Sequence, residues 1–282
     1  MDTRTNTASK ILIGDTLGVL KTMDSDFVDL TVTSPPYNKK EVNKGWFAKN
    51  VKYDVHNDAL PEDEYQKNQT DVLNELFRVT KEGGSVFYNH KIRWVKGVMI
   101  HPMQWLVGTD WTVRQEIVWD RTTAVNIRGW RFWQVEERIY WLYKPIGNNK
   151  IGTELLSKHA LLTSIWKFHP ETDNEHPAPF PITLPIRCIH SIMDERPGIV
   201  LDPYCGSGTS LLAAKLLGKE YIGIDNSKEY IEYANKRLDK PSERDTLHAK
   251  EELERHVVKK SFKERKKAGE WKNPIRGRKK VA

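Results

Sequence analysis

The sequence contains little cysteine and no long apolar run. Its 282 residues include two cysteines, Cys188 and Cys205, which give neither a disulfide framework nor metal-ligand spacing. No apolar run approaches the ~18 residues of a membrane-spanning helix. The polar residues 1–10 lack the apolar segment of a signal peptide. We therefore expect a globular protein of the reducing cytoplasm, with no metal site and no membrane association.

The positive charge of the chain is concentrated near its C-terminus. The net charge is +7, and residues 240–282 contain 15 Lys/Arg against 7 Asp/Glu. This distribution predicts a main domain over residues 1–240 and a basic C-terminal tail over residues 241–282. Such a tail suits non-specific binding to a phosphate backbone. A solubilising, partly helical appendage is the alternative interpretation.

The apolar pattern predicts alternating strands and helices. Predicted strands cover residues 10–14, 27–33, 85–88, 112–119, 138–143, 199–201 and 221–224. Predicted helices cover residues 16–23, 62–80, 92–107, 185–193, 210–217 and 228–238, the last with Ser227 as its N-cap.

A proline-rich segment directly follows the predicted strand 27–33. We name it the proline motif: Thr33-Ser34-Pro35-Pro36-Tyr37. Two prolines cannot continue a sheet, and they leave the chain stiff and extended, with carbonyl groups available to a ligand. The Ser34 hydroxyl and the Tyr37 ring add an acceptor and an aromatic face, which suits a planar, amino-bearing ring. The alternative is a stiff loop with a core tyrosine.

A second segment connects the predicted strand 199–201 to the helix 210–217. We name it the glycine loop: Asp202-Pro203-Tyr204-Cys205-Gly206-Ser207-Gly208-Thr209. Its glycines allow the backbone to approach a ligand closely. Asp225 ends the next strand, where an acid can bind two ribose hydroxyls. The unit predicts a nucleoside-binding site.

The charges around this loop restrict the nucleoside. A pyrophosphate site needs a third glycine and a positive helix end, but this loop has two glycines and begins with an acid. S-adenosyl-L-methionine carries a sulfonium and an ammonium group and no phosphate, so it suits this site. A nicotinamide-dependent oxidoreductase is the alternative enzyme class, and it would require the missing glycine.

Together, the two motifs resemble those of the amino-group DNA methyltransferases of restriction-modification systems. The proline motif is similar to their catalytic motif and the glycine loop to their cofactor motif. Their order in the chain resembles the β subgroup. This resemblance implies an α/β fold: a circularly permuted Rossmann-like S-adenosylmethionine-dependent methyltransferase with a mostly parallel sheet and helices on both faces.

Shorter segments extend the resemblance over about residues 10–240. Gly14-Asp15 matches the N-terminal acid of the subgroup, which implies a contact between Asp15 and the cofactor adenine. Ile165-Trp166 and His176-Pro177 resemble the segment before the cofactor motif. Ala178-Pro179-Phe180-Pro181 departs from the lysine-proline pair of many members.

The resemblance implies methyl transfer from S-adenosyl-L-methionine to the exocyclic amine of a flipped base in double-stranded DNA, with a cognate restriction endonuclease as a possible partner. The catalytic residues it implies are Ser34, Pro35, Pro36 and Tyr37. The cofactor-binding residues are Asp15, Asp202, Pro203, Tyr204, Cys205, Gly206, Gly208, Thr209 and Asp225. Ser34 favours cytosine N4, and adenine N6 is the alternative. RNA as substrate and a catalytically inactive nucleic-acid-binding module also stay open.

Two segments mix basic and aromatic residues and are therefore candidates for DNA recognition. They are residues 39–57 and residues 120–167. Basic side chains bind phosphates, and aromatic rings stack on bases or wedge between them. An ordinary surface loop is the alternative for the first segment, and core tryptophans for the second.

Overall fold

The computed structural model describes residues 9–38, 60–124, 127–147, 163–171, 180–255 and 262–269. The strands in these ranges are β1 Lys10–Ile13, β2 Val28–Thr33, β3 Thr80–His90, β4 Arg93–Val95, β5 Val98–Ile100, β6 Thr112–Asp120, β7 Glu136–Tyr143, β8 Ile165–Lys167, β9 Ile199–Asp202 and β10 Glu220–Asp225. The helices are α1 Thr16–Lys21, α2 Glu62–Val79, α3 Met103–Leu106, α4 Thr183–Met193, α5 Thr209–Leu216, α6 Lys228–Asp239, α7 Glu243–Arg255 and α8 Phe262–Lys267.

A mixed sheet organises the domain, with the strand order β1-β10-β9-β2-β3-β7-β6-β8. The first five strands in this order pair in parallel, and β7 is antiparallel to both of its neighbours. β2 and β9 are adjacent at the centre although one lies early and the other late in the chain. This arrangement confirms the circularly permuted α/β fold.

Helices cover both faces of the sheet, and each face has its own apolar core. α4 and α5 cover one face with side chains such as Ile189 and Leu211, and α1 and α2 cover the other with Leu20 and Leu76. β7 alternates between the faces: Ile139 and Trp141 belong to the first core, Tyr140 and Leu142 to the second. Burial of apolar surface on both faces stabilises the central strands.

The helix predicted over residues 92–107 is wrong. The structure has the hairpin β4–β5 and the short helix α3 in its place. Lys96 and Gly97 form the turn with φ values of 49° and 82°. Positive φ at two consecutive residues is typical of a tight hairpin turn, which the apolar spacing does not reveal.

The folded part of the chain extends past residue 240, because α7 packs on α4. Arg187 of α4 donates two hydrogen bonds to Glu252 of α7, at 2.6 and 3.0 Å. Both side chains are buried, and Ala249 belongs to the core beneath α4. The domain boundary predicted at residue 240 therefore divides a helix pair that is packed together.

The helices within the described ranges include none with the length and apolar character needed to cross a membrane.

Candidate active site

The proline motif and the glycine loop meet at the carboxyl edge of the sheet. Thr33, at the end of β2, donates a 2.8 Å hydrogen bond to Asp202, at the end of β9, 169 residues away in the chain. Ser210, in the first turn of α5, donates to the carbonyl of Val32 at 3.0 Å. The structure therefore brings together two segments that lie far apart in the chain.

Asp202 is the buried link between them rather than an open ligand. Its side chain is 1% exposed. Burial raises its pKa from 3.8 to about 6, although hydrogen bonds from Ser210, Thr33 and the Tyr204 amide oppose the shift. The carboxyl group therefore lies beneath the loop, where its negative charge can attract a cation above.

The glycine loop is shaped by left-handed backbone and by Asp225. Gly206 and Gly208 have φ values of 47° and 75°, and a Cβ at Gly208 would lie 2.9 Å from the Ala234 Cβ. Asp225 accepts hydrogen bonds from the Gly206 amide at 2.8 Å and the Ser227 amide at 2.9 Å. A carboxylate oxygen can accept more than one hydrogen bond, so Asp225 has the chemistry to bind ligand hydroxyl groups as well.

A partly buried arginine supports the glycine loop from the side of α6. Arg237 of α6 donates to the Thr209 hydroxyl at 2.8 Å and forms a bidentate pair with Asp245 of α7, at 2.8 and 3.1 Å. Burial would raise the pKa of Asp245, but the hydrogen bonds and charge of Arg237 outweigh it and lower the pKa. The sequence analysis missed both residues, because their role depends on tertiary packing.

The remaining predicted cofactor residues surround the same edge. Asp15 is exposed and caps α1 by accepting from the Gly18 amide at 2.9 Å. Thr16 donates to the Pro203 carbonyl at 2.7 Å, which joins α1 to the glycine loop. Cys205 is 4% exposed, and burial raises the pKa of its thiol, so it is a packing residue and not a nucleophile.

The proline motif is held by its own tyrosine. The hydroxyl groups of Ser34 and Tyr37 are 2.8 Å apart, and the Tyr37 side chain is 8% exposed. The Tyr37 ring packs against His90 with a centroid distance of 4.7 Å. The Pro36 carbonyl accepts from Tyr65 at 2.7 Å, so α2 fixes the far end of the motif.

A buried polar network extends from this tyrosine. Tyr37 donates to Glu137 at 2.9 Å, and Asn89 donates to both the Tyr37 oxygen at 2.8 Å and Glu137 at 3.0 Å. Arg121 pairs with Glu137 at 3.0 Å. Sequence reasoning assigned no role to Asn89 or Glu137. Glu137 lies on the same face of β7 as the core residues Ile139 and Trp141, so an acid at this inward-facing position is the one signal that the sequence offers.

The loop between β6 and β7 exposes aromatic side chains at the same edge. Phe132 is 99% exposed, Trp133 63% and Trp130 57%. The Arg131 guanidinium lies 4.1 Å from the Trp94 ring of the β4–β5 hairpin. These tryptophans are surface residues and not core, whereas Trp141 and Trp166 are buried. Residues 39–57, the other predicted recognition segment, and residues 172–179, with His176-Pro177, lie outside the described residues.

A cavity of about 220 Å³ lies beside Asp29, Lys81 and Met193, and none of the predicted site residues lines it. Among the described residues, no cluster of histidine, cysteine, aspartate and glutamate could hold a metal ion.

Comparison with known proteins identifies the family. The family model described as DNA methylase, for enzymes of the N6 and N4 classes, matches residues 28–236. This chain belongs to the N6/N4 DNA methylase family. It is therefore an amino-group DNA methyltransferase, with a catalytic domain that spans both motifs.

Relatives of known type support this membership. The type II methyltransferase M.BglII of Bacillus subtilis is 27% identical over 266 residues, which cover 80% of this chain and 68% of the relative. The type II methyltransferase M.HinfI of Haemophilus influenzae is 28% identical over 254 residues, covering 81% and 67%. The likeness to type II methyltransferases agrees with the restriction-modification class.

Solved structures share the fold. The PvuII DNA methyltransferase, which is cytosine-N4-specific, superposes with a TM-score of 0.65 at 18% identity and covers 88% of this chain and 93% of its own. M1.HpyAVI in complex with SAM gives a TM-score of 0.55 at 20% identity, covering 82% and 98%. At these identities the likeness concerns the fold alone.

Proposed function

We propose that this chain transfers a methyl group from S-adenosyl-L-methionine to the exocyclic amine of a base flipped out of double-stranded DNA, with cytosine N4 as the favoured target. The observation that supports this most is the hydrogen bond between Thr33 and Asp202. This bond joins the glycine loop to the proline motif, as methyl transfer between a cofactor on one and an amine on the other would require.

The residues around the glycine loop fit this cofactor. The acids Asp15, Asp202 and Asp225 surround the loop, and the one arginine that touches it, among the described residues, is paired with Asp245. This donor set suits a cationic nucleoside without phosphate. Asp225 would hold the ribose hydroxyls and Asp15 the adenine side, with the Asp202 charge beneath the ammonium group. When bound, S-adenosylmethionine supplies an electrophilic methyl group on a positively charged sulfur.

The proline motif would align the target amine with the methyl group of the cofactor. The lone pair of an exocyclic amine is delocalised into the ring, so the nitrogen is a weak nucleophile. The Ser34 hydroxyl and the Pro35 carbonyl would accept its two protons in hydrogen bonds and favour tetrahedral geometry, which aims the lone pair at the methyl carbon. Positioning and electrostatics of this kind, rather than a covalent intermediate, account for catalysis.

Base flipping requires compensating contacts. Extruding a base costs a few kcal/mol, and stacking on Tyr37 would return about 1–3 kcal/mol. Because Tyr37 is 8% exposed, the base reaches its ring after the side chains that cover it move aside. The exposed Phe132 and the neighbouring arginines would contact the duplex, together with the basic C-terminal residues.

The choice between cytosine N4 and adenine N6 as the target depends on the sequence pattern of the proline motif. Ser34 stands where the resemblance places serine in cytosine-N4 enzymes, and the PvuII enzyme that shares the fold is cytosine-N4-specific. Adenine N6 is the second candidate, because its amine has the same chemistry. A cognate restriction endonuclease is the proposed partner, in view of the type II relatives.

The test is expression in a bacterial strain without DNA methyltransferases. We expect mass spectrometry to detect N4-methylcytosine after the DNA of this strain is digested to nucleosides. Modification-sensitive sequencing of the same DNA then gives the recognition sequence. N6-methyladenine instead would overturn the base assignment alone. Absence of either product, with the purified chain folded and binding labelled S-adenosylmethionine in dialysis, would indicate a module that has lost catalysis.

A further inference from the structure

We infer that Glu137 is a positioning residue that fixes the direction of the hydrogen bonds at Ser34 and makes the serine oxygen an acceptor toward the target amine. The inference rests on the proposed function. It concerns side chains from β3, from β7, from the residue after β6 and from the proline motif, which are linked by the buried network described above.

The direction follows from counting protons. A carboxylate only accepts hydrogen bonds, so the Tyr37 hydroxyl uses its one proton on Glu137, at 2.9 Å. The 2.8 Å contact between Ser34 and Tyr37 must then use the serine proton. The Ser34 hydroxyl therefore points its proton into the protein. Its oxygen accepts a long hydrogen bond from Asn89, at 3.4 Å, and its remaining lone pair can accept from the substrate.

Two further side chains hold this arrangement. Asn89 donates to the Tyr37 oxygen at 2.8 Å, which favours the same direction, and Arg121, at 3.0 Å, favours the charged, accepting form of Glu137 before the reaction. Tyr37, Asn89, Arg121 and Glu137 are each at most 8% exposed. Hydrogen bonds in such a low-dielectric network are stronger than in water, and bulk water does not reorient them.

The consequence is discrimination between an amine and a carbonyl. Cytosine and adenine present N–H groups to Ser34, whereas uracil and hypoxanthine present an acceptor oxygen at the same position. A serine free to rotate could donate to that oxygen. A serine directed by Glu137 cannot, so the carbonyl base leaves two acceptors facing each other.

The same chain of hydrogen bonds can remove the proton that methylation releases. The bond between sulfur and the methyl carbon breaks, a bond between the methyl carbon and nitrogen forms, and the nitrogen becomes positively charged. It passes a proton to Ser34 as Ser34 passes its own to Tyr37 and Tyr37 passes its own to Glu137. Glu137 ends protonated and neutral, and the methylated amine ends neutral.

The test compares Glu137→Gln with Glu136→Gln, the same change one residue earlier on β7. Glu136 lies 3.9 Å from Arg138 and has no bond to the network. The probes are synthetic duplexes with the mapped recognition sequence that carry either the target base or its carbonyl counterpart, uracil for cytosine or hypoxanthine for adenine. Binding of both duplexes, kcat, the KM for DNA and the cofactor Kd are measured for each protein.

In Glu137→Gln the new amide can donate a hydrogen bond to the Tyr37 oxygen. The Tyr37 hydroxyl then donates to Ser34, and the Ser34 hydroxyl donates outward to the substrate. We expect the preference for the amine duplex to fall about tenfold, as for one lost hydrogen bond, and kcat to fall about 100-fold. The KM for DNA and the cofactor Kd should stay within about threefold of wild type, as should every value for Glu136→Gln. Uracil or hypoxanthine also creates a mismatched base pair, which changes how easily the base flips. This change affects duplex binding by wild type and variants alike, so it cancels when their preferences are compared.

Tyr37→Phe keeps the test decisive if Glu137→Gln does not fold. It removes the hydroxyl that connects Ser34 to Glu137 and leaves the pair of Glu137 with Arg121 intact. It should reduce the amine preference to the same extent. An unchanged preference in either folded variant would overturn the inference while wild-type methyl transfer persists. If the wild type transfers no methyl group, the proposed function fails instead.

Discussion

Thr33→Val tests the contact between the two halves of the active site. The valine is nearly isosteric and removes the hydroxyl that donates to Asp202 at 2.8 Å. A hydrogen bond to a buried charged group contributes about 1.5–3 kcal/mol, so we expect a loss of about 2 kcal/mol in the free energy of unfolding at pH 7.5. The charged form loses about 1 kcal/mol more than the neutral form, and 1.36 kcal/mol corresponds to one pKa unit, so the pKa of Asp202 should rise by about 0.7 unit or more.

The loss should depend on pH with a defined sign. The pKa of Asp202 is already raised to about 6 in the folded protein, so the group binds its proton more tightly there than in the unfolded chain. Its ionisation therefore costs stability as the pH rises from about 4 to 6. At pH 5 the carboxyl group is mostly protonated in both proteins, and the difference between them should shrink to about 1 kcal/mol or less, the value of a neutral hydrogen bond.

Urea unfolding at pH 5 and pH 7.5 measures both values, and Thr31→Val is the matched control. Thr31 lies on the same strand, is 0% exposed, and its hydroxyl oxygen has no hydrogen-bond partner in the described part of the chain. Removing a buried hydroxyl without a partner should be neutral or stabilising. Equal losses in the two variants, or a Thr33→Val loss that grows at pH 5, would refute this account of the Asp202 link.

Three further predictions concern other parts of the molecule. Glu252→Ala removes the buried carboxylate that pairs with Arg187 and should cost about 3–5 kcal/mol in urea unfolding. The exposed Glu254→Ala should cost less than about 1 kcal/mol, and similar values for the two variants would show that α7 is not part of the core. Gly208→Ala adds a Cβ at a φ of 75°, which should strain the glycine loop by about 1–2 kcal/mol. This strain should raise the cofactor Kd measured by calorimetry about tenfold, and an unchanged Kd would contradict the prediction. Phe132→Ala should weaken duplex binding about tenfold in fluorescence anisotropy with no change in melting temperature, and unchanged affinity would exclude Phe132 from the interface.

The motifs and most element types could be predicted because their signals are local. The strand before the proline motif, the unit from β9 through α5 to β10, and the Ser227 cap, which accepts from the Tyr230 amide at 3.2 Å, each depend on residues within one short window. The order of the two motifs was enough to expect permutation. The structure adds that the Thr33 hydroxyl and a carboxylate oxygen of Asp202 join the two motifs.

What the sequence did not reveal depends on partners distant in the chain. The Lys96-Gly97 turn is local but was hidden by helix-like spacing in residues 92–107. Glu137 and Asn89 acquire a role only when β7 pairs with β3, which brings them to Tyr37. The charge pattern indicates a separate tail over residues 241–282, yet Asp245 and Glu252 pair with arginines of α6 and α4, which no charge count can show.

The most direct measurement of the central claim is single-turnover transfer from labelled S-adenosylmethionine already bound to Ser34→Ala protein. We expect the variant to bind the cofactor within about twofold of wild type and to transfer its methyl group to DNA at least about 100-fold more slowly. Transfer at the wild-type rate per bound cofactor would contradict the claim that the proline motif presents the amine to the cofactor held beside it.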